Sequence, residues 1–282
     1  PFINRLSIGL QSFHEPYLRF MNRAHNAVES EKCVKLAQDS GFENLTIDLI
    51  YGMSEQLLGI ESNTTDSDER LWQKDLEMAV ALHTPHISAY NLTIEPQTAL
   101  GNWLRTGKIK GVDEELSARQ FEQMVAYLST NQYEQYEVSN FAKNGCYSRH
   151  NSSYWNQEEY LGIGPSAHSF NYQSRQWNIA NNSLYIQGLE KNNLLFELEI
   201  LTQEQQLNEY IMTSLRTMEG LSLTRVADLW GHDKRDQILL EAKKFLARGD
   251  AFLIADFLIL TKSGRLLADG IASDLFFLGD EH

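Results

Sequence analysis

One short run, His150-Asn151-Ser152-Ser153-Tyr154-Trp155, brings an imidazole, a carboxamide and two aromatic rings close together in the chain. If the run is helical, His150 and Tyr154 stand at i and i+4 and share a face. An imidazole beside aromatic rings can bind the iron of a heme through a ring nitrogen while the rings cover the porphyrin. The alternative is that His150 and Asn151 fasten a loop and that Tyr154 and Trp155 are core. A Gly/Pro turn follows with Gly162, Gly164 and Pro165, and His168 beyond it is a second ligand candidate. This turn lacks the Lys and Ser/Thr that close a phosphate loop, so its glycines predict a tight bend beneath the site.

A second set of polar residues falls at strand ends. Asn4 to Phe13 alternates Leu6, Ile8 and Leu10 with Ser7, Gly9 and Gln11, the period of a strand. Leu45 to Gly52 is an apolar run interrupted by Asp48, and His86 to Glu95 is a third strand. Gln11, Asp48, Thr93 and Glu95 thus sit near carboxyl ends, where parallel α/β sheets carry their chemistry. An ionisable Asp48 in an apolar strand needs a partner or a ligand. Arg23, after the first strand, is the candidate partner, and a structural salt bridge or helix cap is the plainer alternative.

The elements that must position these groups are βα units. Asn26 with Glu29 makes an N-cap and N3 pair opening a helix whose apolar stripe is Val28, Cys33, Leu36 and Ala37, ending at Gly41. A second helix is expected from about Asp68 to Leu82. Three strands with helices between them imply a parallel sheet. The chain opens almost inside a strand, without an initiator methionine, and a parallel sheet with a naked first edge predicts further strands upstream. Further along, Gly101 to Gly111 reads as an exposed loop holding Trp103. Asp113 to Ser129 is a helix with Leu116, Phe121, Met124, Val125 and Leu128 inward, and Tyr133 to Phe141 is a strand extending the sheet. Arg175 to Asn178 closes a loop-rich region, and a short helix starts over Asn181 to Leu189. From Thr202 the pattern is helical: a helix stopping at Gly220, a second from Ser222 to Trp230 and a third from Asp233 to Arg248. A hairpin around Asp256 and a helix capped by Thr261 follow. This divides the chain into residues 1–180 and 181–282, the second part winged-helix-like.

Bulk properties narrow the function. The 282 residues are 42% hydrophobic and carry a formal charge of −14, from 24 Lys+Arg against 38 Asp+Glu, so neutralising nucleic acid is not the chain's business. From Glu197 onward nine Lys/Arg face fifteen Asp/Glu, which makes the helical part a packing or protein-docking module rather than a DNA reader. No run of about 18 apolar residues is present, so no membrane span is expected. Two cysteines, Cys33 and Cys146, fit a reducing cytoplasm.

NRLSIGLQSF, NRAHN, GFENLTIDLIYG, HISAYNLTIEPQT, YEVSNFA, HNSSYW and GIGPSAHSF, in this order and at these intervals, resemble the oxygen-independent coproporphyrinogen III oxidase-like radical SAM family and, within it, the HemW-type heme chaperones. The resemblance implies the last three strands of a partial (βα)6 barrel followed by a small helical module. It implies S-adenosylmethionine binding at Gln11, Arg23 and Asp48, with Thr93 as a further candidate, and heme contact at His150 and Tyr154. The family's CxxxCxxC segment, which holds a [4Fe–4S] cluster, has no counterpart in the sequence, and Cys33 and Cys146 cannot replace a clustered triad. The chain is therefore expected to be N-terminally truncated and not to assemble the cluster. After Gly52 the segment MSEQLLGIESNTTDSDERLW is longer than the family's Leu-Pro-Gly-Gln turn and predicts a mobile loop. Two functions follow from the resemblance. One is a heme-trafficking protein that binds heme and S-adenosylmethionine and hands heme to an acceptor protein; the other is a radical oxidase acting on a porphyrinogen. Self-association through the exposed barrel edge is a further expectation.

Overall fold

Period-two alternation needs a buried face and a polar face, and the computed structural model, which describes residues 3–59 and 66–278, supplies both. The chain divides into two compact units, Pro1–Tyr147 and Ser148–His282.

In the first unit the elements run β1 (Arg5–Gln11), α1 (Glu15–Phe20), α2 (Ala27–Asp39), β2 (Asn44–Tyr51), α3 (Asp66–Ala81), β3 (His86–Asn91), α4 (Ala99–Arg105), α5 (Glu114–Thr130), β4 (Glu134–Glu137) and β5 (Asn140–Ala142). They form one open sheet in the order β1-β2-β3-β5-β4, with β1, β2 and β3 parallel and β5 antiparallel to both β3 and β4. The parallel strands follow chain order without reversal, so right-handed crossovers bring their helices to the same face. That face is the apolar row: Leu45, Ile47, Leu49, Ile87 and Ala89 are buried, each larger side chain contributing about 1.5–3 kcal/mol. Trp72 of α3 and Phe121 of α5 close over Tyr51, with ring centroids 5.9 and 6.4 Å away. At Gly52 β2 turns away with φ +82°, and an added Cβ would stand 2.4 Å from Asn91 Oδ1, so a glycine is required there.

Several expectations need correction here. The helix opened by Asn26 has the full capping box, but the residues it buries are Ser30, Val34 and Ala37, while Val28 and Leu36 are 60% and 67% exposed. The inward stripe is rotated because it is fixed by where β1 lies, not by the largest side chains. Residues 101–111 do not form a loop throughout. Thr98 caps Gly101 and starts α4, which carries Trp103. Tyr133 to Phe141 is not one strand but the β4–β5 hairpin, bulged between Gln135 and Glu137. The stretch expected to be a mobile loop after Gly52 includes residues 60–65, which lie outside the described residues.

In the second unit the order is α6 (Arg149–Trp155), β6 (His168–Phe170), β7 (Ser174–Asn178), α7 (Asn182–Glu190), β8 (Phe196–Ile200), α8 (Gln203–Leu215), β9 (Leu221–Ser222), α9 (Leu223–Trp230), α10 (His232–Arg248), β10 (Ala251–Ile254), β11 (Phe257–Leu260), α11 (Lys262–Leu266) and α12 (Ala268–Asp274). Arg175 to Asn178, expected to close a loop region, is instead the centre of an antiparallel sheet β6-β7-β8. These strands pair with one another and not with the first sheet, and they belong to the second unit. The succession α8-β9-α9-α10-β10-β11, with the hairpin paired back onto β9, has the order of a winged-helix module. Gly249 ends α10 in the left-handed conformation, and Thr261 caps α11.

Candidate functional sites

Two constellations emerge, one in each unit. The first is the polar face of the parallel sheet. Register pairs Ser7 with Thr46, Gly9 with Asp48, and Asp48 with Ser88, so these residues share the face opposite the helices. Around Gly9 three expected residues converge. Arg23 Nη2 donates to the Gly9 carbonyl at 3.1 Å, and a Cβ on Gly9 would stand 2.7 Å from Gln11 Nε2 and 3.4 Å from Arg23 Nη2. Asp48 lies across the ladder, its carboxylate accepting from Ser7 Oγ at 3.1 Å. The anticipated Arg23–Asp48 ion pair does not form, because Arg23 ends on the backbone of β1 and the half-buried Asp48 keeps a hydroxyl partner. Thr93 is exposed, beyond the end of β3.

The backbone that aims Gln11 is unusual. The β1–β2 register slips between Gly9 and Gln11, and Gln11 has φ +71°, uncommon for a residue with a side chain. Asp75, buried in α3, holds the chain just beyond. Its carboxylate accepts from Ser12 Oγ and from the Phe13 amide, both at 2.7 Å, with His14 Nε2 3.5 Å away. Burial pushes the Asp75 carboxyl above the usual range, with nearby His14 and the two hydrogen bonds opposing that shift.

Lower on the same face lies a buried polar network that sequence reasoning missed. Arg5 donates to Asn44 Oδ1 and Thr46 Oγ1. His86 is fully buried, with Nε2 2.8 Å from the Tyr136 hydroxyl and Nδ1 without a partner. Burial, then the Arg5 charge, pushes the His86 imidazole down to about 3. Ser88 Oγ donates to Asn140 Oδ1 at 2.7 Å, while Asn140 Nδ2 and the Ser139 amide donate to the buried Glu137 carboxylate. The available signal was the even spacing of His86, Ser88 and Tyr90, the polar row of a strand.

The second constellation is α6. Ser148 caps it by accepting from the Asn151 amide, which makes the HNSSYW run helical. His150 is exposed, and its ring meets that of Tyr154 edge-on with centroids 5.0 Å apart. Tyr154 is 41% exposed and so is not core, unlike the alternative reading of this run. Trp155 turns inward under Arg216, whose guanidinium carbon lies 5.5 Å from its ring centroid. From Tyr154 the rings continue to Tyr160 at 4.8 Å and from there to Phe170 at 6.0 Å. His168 does not join His150; it stacks on Trp177 at 5.9 Å. The Gly/Pro turn is tight as expected: Gly164 has φ +112°, and the buried Asn178 donates to the carbonyls of Gly162 and Gly164.

Among the described residues no three His, Cys, Asp or Glu side chains gather around one point, and Cys33 and Cys146 are free thiols. These residues do not fit a [4Fe–4S] cluster. By contrast, the cradle over Gly9 offers an amide, a guanidinium and a carboxylate within one small region. This set suits hydroxyl groups and an amino-acid end. No described helix is long and apolar enough to cross a membrane.

No protein-family profile matches the chain. Individual proteins do. It is 28% identical over 279 residues to the heme chaperone HemW of Bacillus subtilis, covering 99% of this chain and 70% of that protein. It is 32% identical to HemW of Lactococcus lactis over 78% of this chain and 55% of that protein, and 31% identical to HemW of Mycobacterium tuberculosis over 96% and 65%. The chain thus spans between 55% and 70% of the length of these relatives. Its fold is similar to that of the Escherichia coli coproporphyrinogen III oxidase HemN, a radical SAM enzyme, with a TM-score of 0.74 at 20% identity over 97% of this chain and 64% of that one. The relatives, this shared fold and the motifs carried on its strands and on α6 make the chain a member of the coproporphyrinogen III oxidase-like radical SAM family, of the HemW type.

Proposed function

We propose that this chain carries the heme-contacting part of a heme chaperone, with His150 as the iron ligand and Tyr154 as the adjacent ring against the porphyrin. The observation that carries the reading is the exposed face of α6, where an imidazole that makes no hydrogen bond among the described residues stands edge-on to an exposed tyrosine. An axial ligand needs such an accessible nitrogen, and a neighbouring aromatic ring covers part of the macrocycle. The relatives, named as heme chaperones, support this reading over oxidase chemistry. A heme acceptor protein is the partner that this function requires.

In an absorbance titration with hemin, His150→Ala is expected to bind roughly tenfold or more weakly than wild type, and Tyr154→Ala about fivefold more weakly. Equal affinity for wild type and His150→Ala overturns the assignment. Turnover of coproporphyrinogen III by the protein would instead favour the oxidase.

Gln11, Arg23 and Asp48 are the residues of this chain that would hold S-adenosylmethionine: the carboxylate and amide toward hydroxyls, the guanidinium toward the carboxylate. When bound in such families the cofactor supplies a radical precursor; this chain's part is to bind and orient it. Gly9→Ala tests the cradle. The Cβ would meet only the far ends of two flexible side chains, so the melting temperature is expected to move little while S-adenosylmethionine affinity drops roughly tenfold. Calorimetric titration reads this, and unchanged affinity counts against the cradle. Thr93, exposed and apart from the cradle, is retained only as a contact to a distal part of that ligand. The two free thiols support a reducing, cytoplasmic setting.

A further inference from the structure

The second unit contains a cavity of about 420 Å³ that none of the roles above uses. Its walls come from four places: Gln157 just after α6, the end of β6 with the turn that follows it, one face of α8, and one face of α9. The volume lies in the range of small-molecule sites. Phe170, Tyr172 and Trp230 give it aromatic surface, and Leu229 stands at its rim. Trp230 is held in place by stacking on Tyr210, with centroids 5.5 Å apart and planes 21° from parallel.

Part of the polar lining has no partner among the described residues, while Gln206 Nε2 donates to the Leu201 carbonyl at 3.1 Å. Arg225 lies over the Tyr210 ring, 4.5 Å from its centroid, and makes no ion pair among the described residues. Glu209 lines the same space, but Arg175 Nη2 holds its carboxylate at 2.7 Å, so the charge left for a ligand is positive. The side chains of Gln173 and Gln203 line the cavity and make no hydrogen bond among the described residues. A cation anchored on a ring, flanked by amides and aromatic faces, recognises one kind of molecule: a flat aromatic body with a carboxylate at its edge.

We propose that this cavity is a binding site for a small planar aromatic carboxylate, with Arg225 taking the carboxylate and Trp230 and Phe170 enclosing the ring. The site uses neither His150 nor Tyr154, and its ligand does not require heme at α6; Phe170 is the far end of the ring series that begins at Tyr154.

Calorimetric titration of the full chain with indole-3-acetate, naphthalene-2-carboxylate and benzoate tests it, each acid paired with its neutral amide. At least one acid is expected to bind at millimolar concentration or below, and at least about tenfold more tightly than its amide. Arg225→Gln is expected to erase that preference, and Leu229→Trp, which fills the rim, to abolish binding with the melting temperature preserved. His150→Ala is expected to leave the binding as it is. The proposal is overturned if none of the acids binds at millimolar concentration, if Arg225→Gln keeps the acid-over-amide preference, or if His150→Ala removes the binding.

Discussion

Replacing Asp75 by alanine is expected to destabilise the first unit by about 2–3 kcal/mol, whereas asparagine at the same position stays within about 1 kcal/mol of wild type. The alanine leaves two buried donors, the Ser12 hydroxyl and the Phe13 amide, with no acceptor. Each orphan costs about 1–3 kcal/mol, and relief from burying a carboxylate offsets part of the sum. Asparagine keeps an oxygen for the Phe13 amide, and the Ser12 hydroxyl can rotate to accept from its NH₂ group. The contrast depends on burial: a carboxyl held above its usual range is one whose charge folding disfavours, so losing the charge is tolerated and losing the hydrogen bonds is not. Urea denaturation followed by circular dichroism measures both variants. An alanine variant as stable as wild type would show that Asp75 does not hold this turn. The same loss reaches the site, because the turn fixes Gln11 in its left-handed backbone beside Gly9.

A comparably large effect is expected from pH. His86 is neutral when folded, its imidazole held down to about 3 by burial and by Arg5, while in the unfolded chain it takes up a proton near its ordinary 6.5. Its contribution is therefore complete above about pH 6.5 and is lost as the pH falls toward about 3. Between pH 7 and 4.5 this amounts to about 3 kcal/mol as an order of magnitude. His86→Gln removes the titration, so the stability of wild type should fall more steeply than that of the variant over this interval. Parallel pH profiles for the two proteins would contradict the account. The variant's stability at pH 7 is a separate matter, since it also alters the contact with Tyr136.

These two residues mark the limit of what the sequence made legible. The three parallel strands and the Asn26–Glu29 capping box were readable because period-two rows and cap chemistry are local. The HNSSYW run could be read only conditionally as helical; Ser148, the cap one residue before α6, makes it so. Gln11 could be assigned to a strand end from the same local alternation, whereas Asp48, expected at a strand end, lies within β2. That they meet over Gly9, and that Arg23 binds a carbonyl rather than Asp48, depends on a bulge that no spacing announces. Asp75 looks like any polar residue of an amphipathic helix until the turn after β1 is laid against it. His86 meets Tyr136, and Ser88 meets Asn140, across strands distant in sequence, so these buried contacts were not visible along the chain. The β6-β7-β8 sheet was missed for a related reason: β8 keeps Phe196, Leu198 and Ile200 exposed, so its strands lack the clear inside and outside that alternation needs. The stripe of α2 was misplaced because Val28 and Leu36 are apolar yet face outward.

The central claim is that His150 is the nitrogen ligand of a bound heme. Pulsed electron paramagnetic resonance of the ferric heme complex, prepared with ¹⁵N-histidine, tests it most directly. The account predicts a histidine nitrogen coupled to the iron in wild type and absent in His150→Ala, with the Tyr154→Ala complex keeping the coupling. A coupling that persists unchanged in His150→Ala would assign the iron to another residue and contradict the account.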